Sequence, residues 1–148
     1  MINNTLSNFN IDEILNKYNI KYNGIFSKDK IPSKILNGFY IINLQNSNMG
    51  GGTHWTSLYK INDGYSLYWD AFGFPAPQDI VDKLHCYDYN NKDVQDINSS
   101  SCGYYCICFI KFMNSHPNNP TKAFQTFVSL FSNDTSKNES ILYNILYN

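Results

Sequence analysis

His54-Trp55-Thr56-Ser57-Leu58-Tyr59-Lys60-Ile61 and Tyr65-Ser66-Leu67-Tyr68-Trp69-Asp70-Ala71-Phe72 flank the turn Asn62-Asp63-Gly64. Aromatic and β-branched residues dominate both flanks, and the short Asn-Asp-Gly connection is a strong hairpin signal. Register decides what such a hairpin can do. A three-residue loop, a type I turn with Gly64 in the left-handed region, pairs Ile61 with Tyr65. Continued along the strands, that pairing sets His54 opposite Phe72 and diagonal to Asp70, on one face of the sheet. A two-residue loop would send His54 and Asp70 to opposite faces. If these two side chains act together, the longer loop is the expectation.

Working outward, Gly38-Phe39-Tyr40-Ile41-Ile42-Asn43-Leu44 reads as a short buried strand. Upstream, Asn10 and Glu13 have capping-box spacing, and Ile11, Ile14, Leu15 and Tyr18 form a helical stripe. The turn-rich stretch 19–33, with Gly24 and Pro32, reads as loop. Beyond the hairpin, 77–84 predicts a short helix, while 86–89 and 94–97 read as strand or irregular chain. Apolar residues at 102, 105, 106, 109, 110 and 113 have the spacing of a buried helix, and 121–131 and 139–147 predict two more. The fold class expected is α+β: one domain over 1–148, with a central, mainly antiparallel sheet packed against helices.

The 148 residues suffice to bury a substantial core without disulfides or metal, and a 16% aromatic fraction points to a core built on rings. Net charge is −1 with no basic cluster, so the electrostatic footprint of a nucleic-acid binder is missing. The first ten residues lack the build of a signal peptide, and no apolar stretch is long enough to span a bilayer. Cys86, Cys102, Cys106 and Cys108 without a secretory signal suggest free thiols in a reducing compartment.

Chemistry concentrates at Ser99-Ser100-Ser101-Cys102-Gly103, where a small polar loop feeds the apolar helix. A thiol in the first turn of a helix meets unsatisfied N–H groups and the positive end of the dipole, which favour a thiolate. Cysteine hydrolases need a nucleophile, a base, a group that orients the base, and donors for the oxyanion. Cys102, His54, Asp70 and Gln95 offer these in turn, with the backbone N–H of Cys102 as second donor. Cys106 and Cys108 continue into the helix and read as core, and His85 and His116 as surface residues. A zinc site from His85, Cys86, Cys102, Cys106 and Cys108 lacks paired loop-borne ligands, so no metal is expected. Gly50-Gly51-Gly52 carries no phosphate-binding lysine.

Three stretches together resemble the adenain family of adenovirus proteases, and more broadly the thiol proteases that include SUMO-specific enzymes. They are Gly51-Gly52-Thr53-His54-Trp55, Leu67-Tyr68-Trp69-Asp70-Ala71-Phe72-Gly73-Phe74, and the run from Gln95 to Cys106, in order over about Leu6 to Met113. The resemblance implies His54 as base, Asp70 as orienting acid, Gln95 as oxyanion donor and Cys102 as nucleophile. It implies Trp55, with Gly51 and Gly52, as the wall of a cleft that favours glycine near the scissile bond. It further implies cleavage of viral precursor proteins of capsid or core, within the virion and the infected host cell. No cofactor is implied for the chemistry itself. The family's stimulation by a disulfide-linked viral peptide points to Cys86, and its stimulation by DNA finds no support in the charge. The acid is Asp where adenain has Glu, which shortens the reach to His54. Removal of ubiquitin-like modifiers by the same residues, and a non-catalytic interaction module, are the alternative readings.

Overall fold

The computed structural model describes residues 5–49 and 54–147, so Gly51 and Gly52 lie outside the described residues. Five strands cross one sheet in chain order: β1 (Ile25–Ser27), β2 (Gly38–Asn43), β3 (Trp55–Asn62), β4 (Tyr65–Trp69) and β5 (Tyr87–Tyr89). The central three are antiparallel, and each edge strand pairs in parallel with its neighbour. Around them stand α1 (Asn8–Lys17), α2 (Gln78–Val81), α3 (Cys102–Asn114), α4 (Pro120–Ser129) and α5 (Asn138–Tyr147). The architecture is α+β, as the sequence implies.

Alternation along the strands separates two apolar layers. Phe39, Ile41, Trp55, Leu67 and Trp69 face the layer shared with α1, α3, α4 and α5. Tyr40, Ile42, Leu58 and Tyr68 face a smaller layer closed by Ile31, Ile35 and Ile80. Helix α3 lies at the centre of the larger one. Its residues from Tyr105 to Ile110 are all fully buried, as expected of a helix apolar on every side. Rings fill the space above the sheet: Trp69 stacks on Phe109 at 5.9 Å and meets Phe127 edge-on at 4.9 Å.

The hairpin reaches the expected register by an unexpected route. Asn62 pairs with Tyr65 across a two-residue turn, and neither Asp63 nor Gly64 takes a positive φ. The Asn62 side chain accepts the Gly64 N–H at 2.9 Å instead. Hairpin turns without positive φ twist against their strands. Here a bulge between Lys60 and Asn62 absorbs the mismatch, leaving Ile61 as the extra residue. Beyond it Lys60 pairs with Ser66 and Ser57 with Trp69. That is the register the three-residue loop would have given, so His54 still falls opposite Phe72.

Two further expectations are corrected. The capping box is formed by Ser7 and Asn10 rather than by Asn10 and Glu13. The Ser7 hydroxyl accepts the Asn10 N–H at 3.1 Å, and the Asn10 side-chain oxygen accepts the Ser7 N–H at 3.0 Å. Within the stretch expected as loop, Ile25–Ser27 forms β1. Three residues carry too little periodicity to announce a strand, and parallel pairing with Ile41–Asn43 creates it.

Candidate active site

Backbone hydrogen bonds fix each side chain of the cluster from a different element. His54 immediately precedes β3, and its carbonyl accepts the Leu44 N–H at 3.0 Å, extending the β2–β3 ladder by one step. Asp70 immediately follows β4. Its N–H donates to Asn90 Oδ1 at 3.0 Å, and Asn90 Nδ2 donates back to its carbonyl at 2.6 Å. The Gly73 N–H donates to the same carbonyl at 2.7 Å, turning the chain sharply. Gly73 holds φ at +80°, and a Cβ there would lie 2.7 Å from the Lys92 carbonyl carbon, so only glycine fits without strain.

The Asp70 carboxylate is 1% exposed. Its Oδ1 accepts the Phe72 N–H at 2.8 Å and pairs with His54 Nε2 at 2.8 Å. Aspartate therefore reaches the ring despite its short side chain. The imidazole also stacks on Phe72, with centroids 4.9 Å apart. Because Nε2 is engaged, Nδ1 is the nitrogen left for the thiol. Burial alone would lower the His54 pKa, but hydrogen bonds to Asp70 and Cys102, with the charges of both, raise it to about 9. The ring is thus held as an imidazolium at neutral pH.

Cys102 is the first residue of α3 and is 5% exposed. Its Sγ accepts the Trp55 N–H at 3.5 Å, a donor supplied by the residue next to His54. Gln95 is buried, and its backbone is tied to the exit of β4, since the N–H groups of Val94 and Gln95 both donate to the Ala71 carbonyl. Its Nε2 donates to the Ser99 carbonyl at 3.0 Å, while its Oε1 finds no partner among the described residues. Thr5, Phe72 and Ser99 join His54, Gln95 and Cys102 around a cleft of about 250 Å³. A larger hollow of about 400 Å³ beside β5 contains neither cysteine nor histidine.

Other expected residues stand elsewhere. Trp55 is buried, and its indole N–H donates to the Leu6 carbonyl at 2.9 Å, which ties its ring to the N-terminal segment. Cys86 is exposed, just before β5. Cys106 and Cys108 are fully buried, and burial pushes both thiols well up in pKa. Among the described residues no group of three or more histidine, cysteine or acidic side chains could hold a metal ion. No helix among them is long and apolar enough to cross a membrane. Asn90, which clamps the backbone of Asp70, has no sequence signal: it sits in a polar Asn-Asn-Lys run that reads as surface loop.

Sequence comparison matches the chain to no family model and to no curated protein. Solved structures do match. The crystal structure of the ASFV pS273R protease superposes with a TM-score of 0.60 at 16% identity, covering 99% of this chain and 68% of that one. The structure of its selenomethionine form gives 0.53 at 18% identity, covering 99% and 69%. At such identity the likeness is one of fold, and the fold this chain shares is that of a viral protease.

Proposed function

We propose that this chain is a cysteine endopeptidase that cleaves viral precursor proteins at glycine-containing sites by acyl transfer through Cys102. The observation that carries the reading is the meeting, in one cleft, of the Cys102 thiol with a His54 ring backed by buried Asp70. The Cys102 sulfur attacks the scissile carbonyl, its proton held by His54, and the oxyanion is met by the Cys102 N–H and the Gln95 amide. His54 gives its proton to the leaving amine as the C–N bond breaks. It then takes a proton from the water that hydrolyses the thioester. Asp70 holds the ring in place throughout. The fold shared with a viral protease agrees with a substrate made by a virus, and the adenain resemblance supplies the preference for glycine at the cut. By the adenain resemblance, the work is done in the virion and the infected cell, and Cys86 is the anchor for an activating peptide.

Cleavage of a Gly-Gly-containing precursor tests the reading. Cys102→Ser is expected to abolish it while circular dichroism stays native; retained cleavage would refute the assignment. A ubiquitin or SUMO C-terminal reporter turned over in preference to the precursor would shift the substrate to ubiquitin-like modifiers. Iodoacetamide at near-neutral pH separates an enzyme from an interaction module. Preferential labelling of Cys102 over exposed Cys86 supports the enzyme.

A further inference from the structure

Helix α5 enters the site from beyond the cluster just described. Its first residue, Asn138, is fully buried, and Nδ2 donates to the carbonyl of Val94 at 2.8 Å, next to Gln95. Its second, Glu139, holds two hydroxyls. Oε1 accepts from Ser99 Oγ at 2.5 Å and Oε2 from Ser101 Oγ at 3.0 Å. Both serines sit beside an oxyanion donor. The Ser99 carbonyl accepts the Gln95 amide at 3.0 Å, and Ser101 immediately precedes Cys102. A third bond, from the Ser101 N–H to Ser99 Oγ at 3.1 Å, closes the ring of contacts.

One detail marks this as more than loop packing. Ser101 is the N-cap of α3, yet its side chain makes no capping hydrogen bond. A serine at that place ordinarily stabilises its helix through such a bond. Here the hydroxyl is directed to Glu139 instead. The first turn of α5 also tolerates the anion, because the helix dipole favours negative charge there.

We propose that Glu139 is a positioning residue of the oxyanion site, one carboxylate fixing the spacing between the Gln95 amide and the Cys102 N–H. The inference rests on the acyl-transfer reading above. Glutamine at 139 keeps an acceptor for one serine only, and alanine keeps none.

The test compares Glu139→Gln and Glu139→Ala with the intact chain. For a Gly-Gly amide reporter, kcat is expected to fall about tenfold to a hundredfold, with KM within about twofold, a part of the loss from deleting a whole oxyanion donor. Alkylation of Cys102 by iodoacetamide should keep its rate within about twofold, since displacement at a saturated carbon forms no oxyanion. Equal losses in turnover and alkylation would mean a structural role and would overturn the inference. A second readout needs no turnover: the side-chain amide NMR signals of Gln95, assigned by their loss in Gln95→Ala. In Glu139→Ala they should shift and exchange faster with water; unchanged signals overturn the inference. If the intact chain cleaves no Gly-Gly reporter, the acyl-transfer reading falls, and the Gln95 signals alone decide whether Glu139 positions that amide.

Discussion

His54 is the residue on which both the proposed chemistry and the pH dependence turn. Its pKa of about 9 stands above the ordinary 6.5, so in the folded chain it binds its proton more tightly than in the unfolded one. The resulting stabilisation is fully present below pH 6.5 and is lost as pH rises through 9. A shift of this size corresponds to at most about 3 kcal/mol, shared with Asp70 and Cys102. Urea denaturation of the native chain and of His54→Gln should therefore differ most at pH 6 and converge towards pH 9.5; a constant gap would contradict the pairing. Activity follows the same proton. In the proposed reaction the imidazolium protonates the leaving amine, so kcat/KM should fall on the basic side with an apparent pKa near 9. Asp70→Asn removes the negative charge that raises the value and leaves only a neutral amide oxygen as acceptor. It should draw the basic limb down by a unit or more towards 6.5 and slow cleavage about a hundredfold or more, as in other orienting-acid variants.

Turns and bulges decide which element ends meet, and here the sequence and the structure part company. Gly64 is the obvious left-handed glycine from its Asn-Asp-Gly context, yet it has no positive φ, whereas Gly73 holds φ at +80°. Gly64→Ala is expected to change stability by no more than about 0.5 kcal/mol. Gly73→Ala should cost about 2 kcal/mol or more, from positive φ and from a Cβ driven into the Lys92–Asp93 backbone. Paired urea titrations of the two variants would check this, and similar costs would mean that the turn has been misassigned. The contrast shows what was legible. Strands β2 to β4 and helix α3 announce themselves through apolar periodicity, and Cys102, His54, Asp70 and Gln95 through residue type at element boundaries. Strand β1 is too short to carry a period. Asn90 and Glu139 are polar residues in polar surroundings, and only the tertiary fold brings them to Asp70 and to the serines before Cys102. Register survived a wrong turn assignment because one bulged residue and one added loop residue have the same effect on which face His54 occupies.

Across the whole molecule, helix α3 is held from two sides: α5 grips the loop that leads into it, and residues 5–7 lie against its first turn. Leu6 is buried, its carbonyl accepts the Trp55 indole N–H, and its side chain faces Gly103. A Cβ on Gly103 would come within 3.1 Å of Leu6 Cβ and 3.2 Å of its Cδ1. Glycine after Cys102 is thus a packing requirement, since the same position in a helix would otherwise favour alanine by up to about 1 kcal/mol. The two positions should be energetically coupled. Leu6→Ala alone is expected to cost about 2–3 kcal/mol through lost burial and the cavity left behind. Gly103→Ala alone should cost about 1–2 kcal/mol, because Leu6 must retreat from a packed site. In the double variant the truncated side chain no longer presents Cδ1 and Cγ to the new methyl group, and the segment has less burial to lose by moving. The combined cost should therefore fall short of the sum by about 1 kcal/mol, a coupling measurable by a double-mutant cycle in urea. Strict additivity would mean that residues 5–7 do not brace the Cys102 turn. Limited proteolysis gives an independent check, since Gly103→Ala should expose the bond before Ser7 to cleavage while leaving α1 protected.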